Sequence, residues 1–118
     1  MHNVTLIKGD GIGPSIMDEA VKVIDASGVK IHWEEAYAGM AAFEKFGTPL
    51  PDETLASFDK TRLAFKGPLT TVVGTGFRSI NVALRQKYEL YANVRPAKSW
   101  PGIKTRYDDV DIVIVREN

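Results

Sequence analysis

The sequence predicts an α/β fold with a mixed, largely parallel sheet and flanking helices. One pattern along the chain supports this prediction. Short apolar runs typical of strands alternate along the chain with segments whose apolar residues recur at helical spacing. Strands that are separated by helices form βαβ units, in which the strands pair in parallel.

The first strand and helix are marked by clear sequence signals. Val4–Ile7 is a short apolar run that ends at the glycine cluster Gly9–Pro14. The proline suits the first turn of a helix, where its missing N–H costs nothing. Gly28 follows the last apolar residue at helical spacing, so the helix is predicted to end there.

The remaining elements follow from the same patterns. Residues 29–33 alternate between apolar and polar, as in a strand with one wet face. Apolar periodicity, prolines and glycines mark the other elements. Further strands are predicted at 63–65, 90–94 and 111–115, and further helices at 40–46, 51–60 and 79–87.

Composition narrows the function. The chain has 118 residues, equal numbers of basic and acidic residues, and no cysteine. Zero net charge gives no sign of a nucleic-acid or membrane partner, and the lack of cysteine excludes disulfides, thiolate metal ligands and a cysteine nucleophile. A strand-like run begins near the first residue, so we expect no signal or transit peptide and a cytoplasmic protein.

The glycine cluster Gly9-Asp10-Gly11-Ile12-Gly13-Pro14 lies between a strand and a helix. Glycines at alternate positions let a ligand approach the backbone and the helix N-terminal amides. The spacing differs from the dinucleotide fingerprint G-x-G-x-x-G. A tight turn without a ligand is an equally good interpretation.

A second candidate segment is Lys66–Thr71, followed by the glycine-containing residues 72–77. It comes after a predicted strand and before a predicted helix, where ligands bind in α/β sheets. Two adjacent threonines supply hydroxyl groups. The alternative is a mobile surface loop.

Arginines form the third candidate. Arg85 lies on a predicted helix, and Arg95 and Arg116 follow the apolar parts of two predicted strands. Guanidinium groups donate two parallel hydrogen bonds to a carboxylate, so arginines that meet at one edge would bind a small organic acid. The alternative is surface salt bridges with nearby acidic residues, Glu89, Asp108 and Asp109.

Five segments in this order resemble the isocitrate and isopropylmalate dehydrogenase family: Gly9–Pro14, Lys66–Thr71, Arg78–Arg85, Leu90–Pro96 and Val115–Asn118. The resemblance runs from the first strand to the last residue. Ser79 and Asn81 favour the isocitrate branch, because members that act on isopropylmalate lack this pair. Val72 departs from the pattern, since many relatives have proline after the two threonines.

The resemblance implies a set of ligand-binding residues. The residues implied for the substrate are Ser79, Asn81, Arg85, Arg95 and Arg116. The residues implied for the cofactor are Ile12, Thr70, Thr71 and Asn81. The arginines would pair with carboxylates, and the serine would bind the carboxylate that distinguishes isocitrate from its relatives.

The resemblance also implies an activity, the oxidative decarboxylation of isocitrate to 2-oxoglutarate in the tricarboxylic acid cycle. Hydride would pass to NAD, favoured over NADP, with Mg²⁺ or Mn²⁺ stabilising the enolate. The family's catalytic tyrosine and lysine and its metal-binding aspartates lie beyond the last motif. We therefore assign no catalytic or metal-binding residue to this chain.

On this interpretation residues 1–118 are a truncated N-terminal portion of the isopropylmalate dehydrogenase-like fold, with a second domain starting near the C-terminal end. The portion alone would be inactive, and the whole enzyme would be a homodimer. Two alternatives stay open. One is a homoisocitrate or 3-isopropylmalate dehydrogenase, and the other is a non-catalytic subunit that binds citrate or isocitrate.

Overall fold

A computed structural model describes residues 1–70 and 79–117. The chain divides into two compact units, Met1–Asn81 and Val82–Asn118. Five strands are described: β1 (His2–Ile7), β2 (Ile31–Glu35), β3 (Ala64–Lys66), β4 (Asn93–Lys98) and β5 (Asp111–Arg116). Four helices are described: α1 (Gly13–Ala26), α2 (Met40–Phe46), α3 (Asp52–Thr61) and α4 (Ile80–Lys87).

The first unit contains a three-stranded parallel sheet in the order β2-β1-β3. Val4 pairs with Trp33 on one side of β1, and Leu6 pairs with Phe65 on the other. The α/β prediction is confirmed. The chain leaves β1 in one direction to form β2 and then crosses back to form β3, so the connections reverse direction at the boundary between β1 and β3.

Helices flank both faces of this sheet. The buried Thr5 side chain of β1 contacts α3 through its hydroxyl, 2.8 Å from Ser57 Oγ and 2.7 Å from Thr61 Oγ1. The next residue, Leu6, faces the opposite side and lines a groove with Asp18 of α1. Alternation of side chains along the strand explains this division. The buried side chains of the central strand β1 therefore form the centre of the core of the first unit.

The second unit contains an antiparallel pair, β4 and β5. Its apolar side chains are largely uncovered, with Val94 60%, Val113 60% and Val115 66% exposed. β4 begins three residues later than predicted, so Arg95 lies within the strand and not at its end. Pro96 does not stop the strand, because an edge strand has an outward side on which no N–H is required.

Among the described residues, no helix is long and apolar enough to cross a membrane.

Replacing Thr5 by Val tests the buried hydroxyl contact between β1 and α3. Valine keeps the shape but leaves the Ser57 hydroxyl without this partner, so the free energy of unfolding should fall by about 1 to 3 kcal/mol. Urea denaturation measures the change. Thr105→Val is the control, because the Thr105 hydroxyl is exposed and donates to the Tyr107 carbonyl, so its loss should lower the free energy of unfolding by less than about 0.5 kcal/mol. Equal losses in the two variants would contradict the prediction.

Candidate functional site

The candidate site lies at the carboxyl edge of the parallel sheet, where β1 and β3 end side by side. The backbone N–H of Gly67 donates to the carbonyl of Ile7 at 2.8 Å. The N–H of Asp10 donates to the carbonyl of Pro68 at 2.9 Å. Ligands of α/β proteins bind at this edge, where the strand connections reverse direction.

Three glycines are required here by close backbone approach. A Cβ at Gly9 would lie 2.1 Å from the carbonyl oxygen of Pro68. A Cβ at Gly13 or at Gly67 would lie 2.3 or 2.2 Å from the carbonyl oxygen of Lys8. The glycine cluster after β1 and the described start of the second candidate segment, residues 66–70, therefore pack directly against each other. Tight turn packing accounts for these glycines whether or not a ligand binds.

Asp10 connects this edge to two other segments. Its Oδ2 accepts the backbone N–H groups of Met40 at 3.1 Å and Thr70 at 2.7 Å, and its Oδ1 accepts that of Ala41 at 3.0 Å. The residue is only 9% exposed. Sequence reasoning treated it as part of the glycine spacing and missed this role. The available signal was a single acidic residue inside a glycine turn, which suits backbone donors.

A groove of about 600 Å³ opens beside the same edge, between β1, β2 and α1. Lys8 crosses it, with Nζ 3.0 Å from Asp18 Oδ1 and 3.4 Å from Glu35 Oε1. The hydrogen bond to Asp18, and next that to Glu35, raise the pKa of the Lys8 amine above its usual value. The lysine is thus engaged by carboxylates of the chain itself, which explains its position without a ligand.

The predicted ligand residues of the first unit lie in different local settings. Ile12 precedes α1 and is 70% exposed, and Thr70 is exposed beyond β3. Ser79 immediately precedes α4 and Asn81 lies in its first turn, both half-buried. Thr71 falls outside the described residues. Accessible side chains at the sheet edge suit contact with a ligand, and the assignment of these residues stays a prediction.

In the second unit the strand register brings two of the predicted arginines to one face. Arg95 is opposite Ile114, and Arg116 is opposite Asn93. Since directly opposed residues share a face, the two arginines are diagonal neighbours. The two side chains therefore leave the strand pair on the same face.

Arg85 belongs to the same unit and lies half-buried on α4. Within residues 1–70 and 79–117, neither Arg85 nor Arg95 nor Arg116 forms an ion pair with a carboxylate. The nearest polar contact is a long hydrogen bond, 3.4 Å, from Arg95 Nε to Asn93 Oδ1. The alternative of salt bridges to Glu89, Asp108 and Asp109 therefore does not describe these arginines.

The described residues bring together no group of three or more histidine, aspartate or glutamate side chains that could hold a metal ion. The magnesium or manganese that the family resemblance implies does not fit any cluster in this part of the chain.

A sequence profile described as isocitrate/isopropylmalate dehydrogenase matches residues 3–118. The chain belongs to this family. The matched residues include the parallel sheet, the glycine cluster after β1, and the strands β4 and β5 that contain Arg95 and Arg116. The family prediction made from the five motifs is thereby confirmed.

Individual relatives agree. The mitochondrial NAD isocitrate dehydrogenase catalytic subunit 5 of Arabidopsis thaliana is 48% identical over 97% of this chain and 30% of its own length. The chloroplastic 3-isopropylmalate dehydrogenase of Solanum tuberosum is 45% identical over 97% of this chain and 32% of its own. The crystal structure of isocitrate dehydrogenase from Methylococcus capsulatus aligns with a TM-score of 0.95 and 64% identity, covering 100% of this chain and 35% of that one. The chain thus spans about a third of its relatives' length.

The expectation of a cytoplasmic protein is wrong by these comparisons. Several of the related NAD isocitrate dehydrogenase subunits are mitochondrial, which points to that compartment. The error has a physical cause. The expectation rested on the strand-like run near the first residue. Targeting is read from leader segments that are separate from the folded domain, so the strand pattern of the domain does not indicate a compartment.

Substituting Gly9 by Ala tests the close approach of the two backbones. Gly28→Ala is a matched control, because both glycines have positive φ, +82° and +85°, but Gly28 has nothing within 4 Å of its Cβ position. The left-handed conformation should cost each variant about 1 to 2 kcal/mol. The clash with Pro68 should cost Gly9→Ala about 1 to 3 kcal/mol more. Urea denaturation checks the difference, and equal destabilisation of the two variants would refute the packing argument.

Proposed function

We propose that this chain supplies the carboxylate-binding part, and a share of the cofactor-binding part, of an NAD-dependent isocitrate dehydrogenase. The reaction is the oxidative decarboxylation of isocitrate to 2-oxoglutarate. The observation that carries the proposal is the state of Arg85, Arg95 and Arg116, three guanidinium groups without a carboxylate partner among the described residues.

The chemistry of these arginines suits a substrate with several carboxylates. Each guanidinium group can donate two parallel hydrogen bonds to one carboxylate, and its charge is permanent at any physiological pH. Arg95 and Arg116 share one face of the β4–β5 pair. Isocitrate has three carboxylates, so it can engage more than one such donor at once. Binding of this kind orients the substrate and raises the rate through positioning.

The cofactor proposal rests on the sheet edge. Thr70 is exposed beyond β3, and Ile12 is exposed at the turn after β1. Both residues therefore lie at the carboxyl edge at which α/β proteins bind nucleotides. When bound, NAD would accept the hydride from the substrate carbon, while these residues would contact and orient it. Thr71 and Asn81 complete the proposed cofactor set.

We further propose that residues 1–118 act as the N-terminal portion of a longer enzyme and are inactive alone. Two findings support this. The relatives are about three times as long as the matched region. The apolar residues of β5 are each more than half exposed, at 54% for Ile112 and 52% for Ile114. Exposed apolar surface of this kind is usually covered by another part of the protein or by a partner.

A 3-isopropylmalate dehydrogenase is the second candidate, because a relative of that name is 45% identical. The two candidates differ in the residues at the start of α4. Ser79 and Asn81 offer a hydroxyl and an amide that can bind a carboxylate, whereas an isopropyl group would need an apolar surface. We therefore favour isocitrate. A homoisocitrate dehydrogenase would be recognised by a higher kcat/KM for homoisocitrate than for isocitrate.

The assembly of the enzyme belongs to the proposal as well. The resemblance implies a homodimer. Related NAD enzymes are named as numbered or lettered subunits, which indicates assemblies with more than one kind of chain. Sedimentation of the full-length protein, alone and with candidate partner subunits, distinguishes the two arrangements.

Arginine-to-lysine variants test the substrate proposal in the full-length protein. Lysine keeps the charge but loses the paired hydrogen bonds, each worth roughly 1.5 to 3 kcal/mol when a charged group is involved. Arg85→Lys, Arg95→Lys and Arg116→Lys should each lower kcat/KM for isocitrate by about ten- to a hundred-fold. The dissociation constant for NAD should change little. Steady-state kinetics and NAD titration measure both quantities.

Arg106→Lys is the control for this series. Arg106 stacks on the Tyr107 ring at 5.5 Å and belongs to a loop without predicted ligand residues, so isocitrate efficiency should stay within about two-fold of wild type. If all three test variants behave like this control, the arginines do not bind the substrate. Tight isocitrate binding without turnover would instead indicate the non-catalytic binding subunit.

A negative charge at position 79 gives a separate test. Ser79→Asp would place a carboxylate beside a substrate carboxylate, and like-charge repulsion should lower kcat/KM by at least about a hundred-fold. Ser79→Ala removes one hydrogen bond without adding charge, so about ten-fold is expected. Phosphorylation of Ser79 would act in the same way, because it adds negative charge at the same position. Near-normal efficiency of Ser79→Asp in kinetic assays would exclude this role.

A further inference from the structure

We propose that Asp10 is a positioning residue for the cofactor, acting through Thr70. This inference rests on the proposed function, since it assumes that NAD contacts the segment after β3. The carboxylate holds the Thr70 backbone amide at 2.7 Å. It does not touch the cofactor itself. Its role is to fix the place of a contacting residue before the cofactor arrives.

Two hydrogen bonds from one residue clamp this segment. The Asp10 N–H donates to the Pro68 carbonyl at 2.9 Å, and the Asp10 carboxylate accepts from the Thr70 N–H. The two partners are two residues apart, so both the position and the direction of the chain between them are set. A single contact would leave the segment free to rotate about it.

The Asp10 carboxylate also accepts hydrogen bonds from the first turn of α2. Met40 and Ala41, the first two residues of α2, donate their N–H groups to it at 3.1 and 3.0 Å. Three backbone donors thus converge on one carboxylate that is 9% exposed. An amide side chain could not accept all three, because one of its two terminal atoms is itself a donor.

Gly39 lies directly against the Asp10 carboxylate. A Cβ at Gly39 would lie 2.1 Å from Asp10 Oδ2, and its φ is +84°. The residue before α2 is therefore compatible only with glycine while the carboxylate occupies its place. Preorganisation of this kind lowers the entropic cost of ordering the segment when the ligand binds.

The experiment measures NAD and isocitrate binding separately in full-length Asp10→Ala and Asp10→Asn. Asp10→Ala should raise the dissociation constant of NAD by roughly ten-fold or more, and Asp10→Asn by roughly three- to ten-fold. The KM for isocitrate at saturating NAD should stay within about two-fold of wild type, because the arginines do not depend on this clamp. Hydrogen exchange at the Thr70 amide should accelerate in both variants.

Thr54→Val is the matched control for a purely structural effect. Its buried hydroxyl donates to the Tyr37 carbonyl at 2.6 Å, so its loss should lower the melting temperature without changing NAD affinity. If Asp10→Asn loses stability like this control but keeps wild-type NAD affinity, the positioning role is overturned. Should Asp10→Ala fail to fold, the Asn variant and its Thr70 exchange decide the question. A wild-type protein that binds no NAD would overturn the proposed function itself.

Discussion

The close approach of two backbones at the carboxyl edge of the sheet is the constraint on which the rest of the first unit depends. Gly9 lies against the Pro68 carbonyl and Gly67 against the Lys8 carbonyl, at distances that leave no room for a Cβ. This approach places the segment after β3 directly beside the turn after β1. The Asp10 carboxylate can then reach it. The geometry of the proposed cofactor edge follows from a packing requirement that involves no ligand.

The second unit, unlike the first, leaves the side chains of its strands largely exposed. Its strands β4 and β5 leave apolar side chains exposed, while two arginines share one face and form no ion pair with a carboxylate of residues 1–70 or 79–117. Exposed guanidinium groups that are not engaged by the chain's own carboxylates remain able to bind the anion proposed above. The unit therefore leaves both charged and apolar side chains exposed, as expected if the proposed substrate and a further part of the protein cover them. Both features fit a segment that covers about a third of its relatives' length.

Element type was predictable because the signals are local. Pro14 at the start of α1 and the helical spacing of the buried Ile80 and Leu84 marked their helices correctly. The boundaries of β4 were not predictable by the same means. A proline such as Pro96 predicts the end of a strand when only neighbouring residues are considered. In the structure it pairs with Val113 on an edge strand, where a backbone N–H that faces away from the partner strand is not needed. Local propensity was overridden by the position of the strand in its sheet.

The fold class, the order of the elements and the family could all be predicted from the amino-acid sequence, because local patterns and five motifs in one order can be recognised without coordinates. The sequence also identified the arginines by residue type. Only the tertiary structure decided that Arg95 and Arg116 share a face, since strand register depends on pairing between distant residues. Only the tertiary structure showed Asp10 between Thr70 and Met40, sixty and thirty positions away. A hydrogen-bond partner at that separation leaves no periodic trace in the sequence, because it exists only once the chain has folded.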